Sequence, residues 1–330
     1  MTAKLRIGSF NLENLALAPA EGVTFEDRVQ ALRPHLMRMA ADILCLQEIN
    51  AKGGHGHPRS LAALDGLITG TPYAEFNRAV TTNNAGDKPR DVHNLAILSR
   101  YPITEFTQIH HQLVAPPHVD PITASPKPET AQAVTWDRPV LHAAIRVGDE
   151  RLDVFNLHLR APLAAAVAGQ KQAPFVWKST QGWAEGFFLA AVKRAGQAFE
   201  ARLAVDALFD KDEAALIAVC GDFNADLTET PLRMLIADVE DTGNGALAAR
   251  ALRPLEINLP DSSRFTVRHF GRRQMLDHVL VSRALLSRFR SIEIHNELLE
   301  DELIAYATAR HDPDSYHAPV VAGFDWGDEG

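Results

Sequence analysis

Six short apolar runs, each bordered by polar residues, restrict how this chain can fold more than any other feature of it. They extend from Leu5 to Phe10, Ile43 to Gln47, Leu95 to Ser99, Leu152 to Leu157, Leu216 to Cys220 and Leu276 to Val281. All have the length of β-strands, and several lack the alternation of a strand with one wet face. They are therefore expected to be covered on both faces, as strands are inside layered α/β folds. Helical patterns lie between them. Thr24 followed by Asp27 resembles a capping box, and Val29, Leu32, Leu36 and Met39 recur at helical spacing. Pro34 interrupts that pattern and predicts a helix that is kinked or begins later. A second helix is expected from about Glu185 to Phe209, with Phe188, Val192, Ala195 and Phe199 on one face read as core packing.

Nothing else in the chain competes with that layout. The 330 residues are 46% hydrophobic, enough for a large core in one big domain or two small ones, and no repeat, heptad pattern or long linker divides them. No apolar run could span a bilayer, and Met1-Thr2-Ala3-Lys4 begins no signal-peptide pattern, so cytoplasm is the expected location. Cys45 and Cys220 each sit in an apolar run and read as buried thiols. A net charge of −9 argues mildly against general degradation of duplex DNA, and it suits a cation site built from carboxylates. Lys52 to Arg59, Val114 to Pro139 and Ala161 to Gly182 read as long loops.

The chemistry stands where apolar runs meet polar residues. Ser9-Phe10-Asn11-Leu12-Glu13 closes the first run, Leu46-Gln47-Glu48 the second, and Asn156-Leu157-His158 a later one. Gly221-Asp222-Phe223-Asn224 follows Val219-Cys220, Leu276-Asp277-His278 opens a late run, and Ser315-Tyr316-His317 precedes Ala318-Pro319-Val320-Val321. In layered α/β folds the strand ends of one edge line the site. Asparagine, carboxylates and histidines gathered there offer hard oxygen ligands and imidazoles, a set that suits Mg²⁺ better than zinc. Each motif alone is weak, since Gln47-Glu48 after a strand occurs by chance and Gly221-Asp222-Phe223-Asn224 could be a turn closing a strand, and the purely structural reading of any one of them leads. Their ordered occurrence is what points to a site.

That ordered set resembles the endonuclease/exonuclease/phosphatase superfamily, over almost the whole chain from Phe10-Asn11 to His317. Asp222-Phe223-Asn224 is the most specific motif, and Leu95 to Arg100 and Met275 to Leu280 look like the family's central strand and late aspartate motif. The resemblance implies one domain over residues 1–330: a four-layered α/β/β/α sandwich of two packed mixed sheets flanked by helices. It also implies roles. Glu48 would bind the metal, Mg²⁺ with Mn²⁺ as a substitute, with Asn11 and Glu13 completing or orienting its shell. Asp222 would orient or deprotonate the attacking water, and Asn224 would hold that water or a phosphate oxygen. His317 would contact the scissile phosphate, with Asp277 fixing its tautomer; whether histidine or aspartate is the base stays open. His158 would be a second phosphate contact or the acid for the leaving group.

One position departs from the pattern. Tyr316 stands where the family carries an aspartate, which removes one carboxylate from the site unless Asp312 or Asp314 replaces it. Arg272 and Arg273, with Arg268, read either as a basic rim that holds substrate phosphates or as a solvated hairpin. His55 and His57 suit a surface loop better than a second metal, Trp177 and Trp183 suit packing of the long loop, and His278 is expected to point away from the site. The expected function is metal-dependent hydrolysis of a phosphoester, foremost a phosphodiester of nucleic acid or nucleotides. A phosphomonoesterase, a lipid phosphodiesterase and a relative that only binds phosphate-bearing partners are the alternatives. Oligomeric state is not legible.

Overall fold

The apolar runs become the inner strands of two six-stranded mixed sheets that pack face to face. The computed structural model describes residues 4–19, 22–51, 59–83, 85–302 and 313–327. In the first sheet the order is Phe289–Ile294, Val320–Asp325, Lys4–Leu15, Ile43–Ile49, Asn94–Ser99, Asn77–Val80. In the second it is Arg253–Pro254, Asp277–Val281, Leu216–Asp222, Glu150–His158, Val140–Val147, Ile103–Ile109. Each sheet has a parallel pair at its centre: Lys4–Leu15 beside Ile43–Ile49, and Leu216–Asp222 beside Glu150–His158.

Burial on both faces explains why these strands lack alternation. Leu5, Ile7, Ile43, Cys45, Leu95 and Ile97 face the other sheet and meet Val154, Ala218, Cys220 and Val279. Their neighbours Leu44, Leu46, Ala96 and Leu98 face outward onto the helices Phe25–Met39 and Ala62–Ile68. Phe155, Leu157, Ile217 and Val219 face outward from the second sheet onto the helix Thr180–Phe209. Three apolar clusters thus separate four layers, helix–sheet–sheet–helix, as expected. Each fully buried Leu or Ile contributes roughly 1.5–3 kcal/mol. Cys45 and Cys220 are buried free thiols, also as expected.

The helices depart from the sequence reading in detail. Thr24 is the N-cap with both capping-box bonds made, Asp27 N to Thr24 Oγ1 at 3.1 Å and Thr24 N to Asp27 Oδ2 at 2.8 Å. The first helix starts at once at Phe25 and runs through Pro34 to Met39, so Pro34 does not delay its start. The long helix begins at Thr180, capped by Ser179, rather than near Glu185. Its predicted core stripe is also corrected, because Phe188 is 54% and Phe199 43% exposed. The helix packs through Ala190, Ala198, Ala201 and Val205, since small side chains allow the closest approach to the sheet. The preceding loop holds a hairpin, Lys171–Ala173 with Val176–Trp177. Trp177 lies under the Lys171 ammonium, while Trp183 is 47% exposed beside Phe187 instead of packing the loop down. No helix among the described residues is long and apolar enough to cross a membrane.

A buried amide pair joins the sheets near one edge. Gln47 Nε2 donates to Asn156 Oδ1 at 2.8 Å across the interface, and Asn156 Nδ2 donates to the carbonyls of Leu46 and Ala96, both at 2.9 Å. Both side chains are fully buried, so removing one strands the partners of the other in a low-dielectric interior. Asn156→Leu is accordingly predicted to lower unfolding stability by about 2–4 kcal/mol with an unchanged denaturant slope, as measured by urea titration.

Candidate active site

Strand register brings the polar ends together. Asp222 lies opposite His158 on the parallel neighbour and opposite Asp277 on the antiparallel one. Gly221, just before it, has φ +141°, and a Cβ there would run into the Leu157 carbonyl, so the motif requires glycine at this point. In the other sheet Asn11 pairs with Gln47, after which the register shifts. Glu13, Asn14 and Glu48 all adopt left-handed backbone there, with φ of 46°, 55° and 61°. Non-glycine residues in that region cost energy and persist where surrounding bonds hold them. Here Glu13 N donates to Asn11 Oδ1 and Asn14 N to Glu48 Oε2, each at 2.9 Å.

Asn11 joins the two halves. Its Nδ2 donates to Asp222 Oδ2 at 3.0 Å and to Glu48 Oε1 at 3.3 Å. Asp222 also accepts from Asn224, at Oδ1 from the backbone N at 2.8 Å and at Oδ2 from Nδ2 at 3.2 Å. His158 Nε2 lies 3.3 Å from Asp222 Oδ2 and 3.6 Å from Glu48 Oε1. His317 Nδ1 is 2.8 Å from Asp277 Oδ2, leaving Nε2 directed to Asp222 Oδ2 at 4.0 Å. Eight expected residues, Asn11, Glu13, Glu48, His158, Asp222, Asn224, Asp277 and His317, therefore share one edge of the sandwich.

The segment that carries His317 is pinned to the first strand. Tyr316 N donates to Glu13 Oε2 at 2.8 Å, and Ser315 Oγ donates to Asn11 O at 2.7 Å. Arg28 clamps both pieces, donating to the carbonyls of Leu12, Glu13, Pro313 and Asp314. Asp314 does not replace the missing aspartate: its carboxylate turns away to His35 Nε2 at 2.9 Å, because His35 on the first helix faces it. Asp312, like His55 and His57, lies outside the described residues. His278 is buried between Glu256 and the Ala225 carbonyl, away from the site as expected. Arg272 and Arg273 are exposed on a hairpin, Val267–His269 with Arg272–Gln274, and Val267 at its base forms a bridge with His317.

Burial sets the charge states. It pushes the Glu13 and Asp222 carboxyls up to about 7 each. Burial alone would lower His317, but Asp277, Asp222 and Glu48 overcome it and carry the imidazolium up to about 10. His158 is held well below the usual histidine range by burial and then by Arg138 and His93. Arg138 donates to His93 Nδ1 at 2.6 Å, so the His93 ring keeps its proton on Nε2 and that nitrogen has no lone pair for a metal. Glu48, His93 and His158 form one group close enough to share an ion, and Asp222, Asp277 and His317 another. With His93 committed to Arg138 and His317 to Asp277, the donors left are mainly the oxygens of Asn11, Glu13, Glu48 and Asp222. Such a set fits a hard divalent cation, and so does a surplus of desolvated carboxylates.

Sequence reasoning missed three contributors, Arg28, His93 and Arg138, and named Asn156 in its motif without giving it a role. Arg28 occupies the apolar stripe of its helix four residues before Leu32, a position where a charge is anomalous. His93 and Arg138 each stand two residues before the apolar part of a strand, a weaker form of the signal that exposed Asp222 and His158.

Known proteins share this fold. The model of the Endonuclease/Exonuclease/phosphatase family matches residues 8–298. A truncated Caenorhabditis elegans TDP2 is similar in structure, with TM-score 0.57, 15% identity, and coverage of 98% of each chain. TDP2 of D. rerio, complexed with single strand DNA product, has TM-score 0.54 and 14% identity, covering 98% of this chain and 100% of that one. The 3' phosphatase NExo from Neisseria, bound to product DNA hairpin, has TM-score 0.53 and 17% identity, covering 98% and 100%. No curated protein matches the chain.

A raised carboxyl pKa means that Glu13 stabilises the metal-free fold fully below its ordinary value of 4.5 and loses that contribution as pH rises through about 7. A divalent cation reverses the loss by favouring the ionised form. Thermal melts should therefore show a larger upward Tm shift from MnCl₂ at about pH 8 than at about pH 5, the sign following the protons released on binding. An equal shift at both values would contradict this charge assignment.

Proposed function

Because the chain belongs to the endonuclease/exonuclease/phosphatase family, it is a phosphoester hydrolase, and we propose that it cleaves phosphodiester bonds of nucleic acid or nucleotides. The observation that carries this reading is Asp222 standing between two differently tuned histidines, His158 at 3.3 Å and His317 at 4.0 Å. Asp222, poised near neutrality by burial, takes the proton of the attacking water, which Asn224 helps to hold. His317, cationic and locked by Asp277, grips the scissile phosphate. Neutral His158 supplies a hydrogen bond to a second phosphate oxygen or to the leaving group. Glu48, with Asn11 and Glu13, would hold a divalent cation, Mg²⁺ foremost, which when bound polarises a phosphoryl oxygen and offsets transition-state charge. Arg272 and Arg273 extend a basic rim beside His317.

Support for nucleic acid or nucleotides comes from DNA products in the TDP2 and NExo structures and from the exposed arginines at the site's border. Tyr316 is the feature that favours a binding-only relative. Its backbone N–H holds Glu13 in place, so one carboxylate oxygen still stands at that point of the site.

Hydrolysis of bis-p-nitrophenyl phosphate should depend on Mg²⁺ or Mn²⁺ and stop with chelator. His317→Ala should lower kcat by about 10³-fold or more, and Asp277→Asn by about 10–100-fold, as loss of an orienting carboxylate does. Absence of metal-dependent turnover across diesters, monoesters, nucleotides, DNA and RNA would instead favour the binding-only relative.

A further inference from the structure

Beside the site lies a cavity of about 630 Å³ lined by Arg59, Arg90, His93, Asp137, Arg138 and Arg160, together with Asp91 and a few small or apolar residues. Four guanidinium groups thus face two carboxylates, in a chain whose net charge is −9. The carboxylates are already engaged. Asp91 takes Arg59 at 2.7 Å, and Asp137 takes both Arg160 at 2.9 Å and Lys193 at 3.0 Å. Arg90 and Arg138 are left with neutral partners among the described residues: the Asp137 carbonyl for Arg90, and His93 Nδ1 with the Leu159 carbonyl for Arg138. Arg160 Nε is buried and has no acceptor among the described residues.

Among the described residues neither the Arg90 nor the Arg138 guanidinium donates to a carboxylate, although Asp137 acts on both from farther off and Glu48 and Asp222 on Arg138. A fork of N–H donors matches a phosphate in shape as well as charge. The cavity is also contiguous with the chemistry. His93 forms its wall, and the His93 ring stacks on His158 with centroids 5.9 Å apart. An anion in the cavity would therefore sit one imidazole away from the scissile phosphate, where the next phosphate of the same strand would follow.

We propose that this arginine-lined cavity is a second phosphate subsite, which takes the phosphate flanking the scissile one and so selects substrates that carry two phosphates in succession. The inference rests on the hydrolase reading and narrows its substrate class. Arg138 spans the two positions, touching His93 on the catalytic side while lining the cavity. Arg90 acts in the cavity alone.

The test compares three thymidine dinucleotides: TpT, and pTpT and TpTp, which add a phosphate on one side or the other. One of the two phosphorylated forms should exceed TpT in kcat/KM by about 10-fold or more, the worth of one or two charge-assisted hydrogen bonds. Arg90→Gln and Arg138→Gln should bring that ratio down to about 3-fold or less, and Arg90→Lys, which keeps the charge, should retain more of it. Thermal melts confirm that each variant is folded. Ratios near one for both forms, or a preference that survives both glutamine variants, would overturn the subsite. Equilibrium binding of the same dinucleotides to His317→Ala keeps the two readings apart. No metal-dependent turnover by the unaltered protein across diesters, monoesters, nucleotides, DNA and RNA sinks the hydrolase, whereas equal affinities for TpT, pTpT and TpTp sink the subsite.

Discussion

Hydrogen bonds between the two sheets, made by buried amides, are the constraint on which the site depends. Apolar packing between the sheets is strong but non-directional, and alone it would tolerate sliding of one sheet over the other. Gln47 with Asn156, and Asn11 with Asp222, add partners that must meet at about 3 Å or remain unsatisfied in the interior. Because each amide sits within two residues of a site carboxylate or histidine, the bonds that set sheet alignment also set the distance from Glu48 to Asp222. The left-handed backbone at Glu13 and Glu48 belongs to the same device, since the register shift there is held by the Asn11 amide of the same strand and by the Glu48 carboxylate of the neighbouring one.

Electrostatics divides the edge of the sandwich into two regions. On one side Glu13, Glu48 and Asp222 lie close together, and for Glu13 and Asp222 desolvation outweighs the pull of the His317 imidazolium, so these two rise to about 7 and the region favours a cation. On the other side the half-buried Arg90 and Arg138 donate to neutral groups among the described residues, so that region favours an anion. His93 and His158 stand between them, both lowered by burial and by Arg138, and separate the two regions with neutral rings. A phosphoester brings negative charge to its metal and to its flanking phosphate alike. The polarity of the edge therefore runs in the direction such a substrate would lie.

Much of this was legible in the sequence because strands covered on both faces leave a distinctive record. The runs at Ile43, Leu95, Leu152 and Leu216 had the right length and no alternation, and their polar ends marked the site edge. The long helix misled for the same reason in reverse. Its apolar and charged residues are spread round the whole helix, so periodicity did not reveal which face was covered, and the aromatic face at Phe188 and Phe199 proved to be the wet one. Asp314 misled because proximity in sequence to His317 says nothing of direction. Its carboxylate follows His35, and the neighbouring backbone, not a side chain, reaches Glu13.

The sequence by itself determined which runs become strands covered on both faces, the order of the strand ends and the chemical types at the site, because hydrophobic pattern and local motif are properties of contiguous residues. The four layers were implied only by the family resemblance. Only the tertiary structure decided which protons and charges those residues carry. The tautomer of His93 depends on Arg138, the charge of His317 on Asp277, and the burial of Glu13 on Tyr316 and Arg28. These partners lie tens to hundreds of residues apart along the chain, and the energy of a buried charge is fixed by what stands within a few ångströms of it in space.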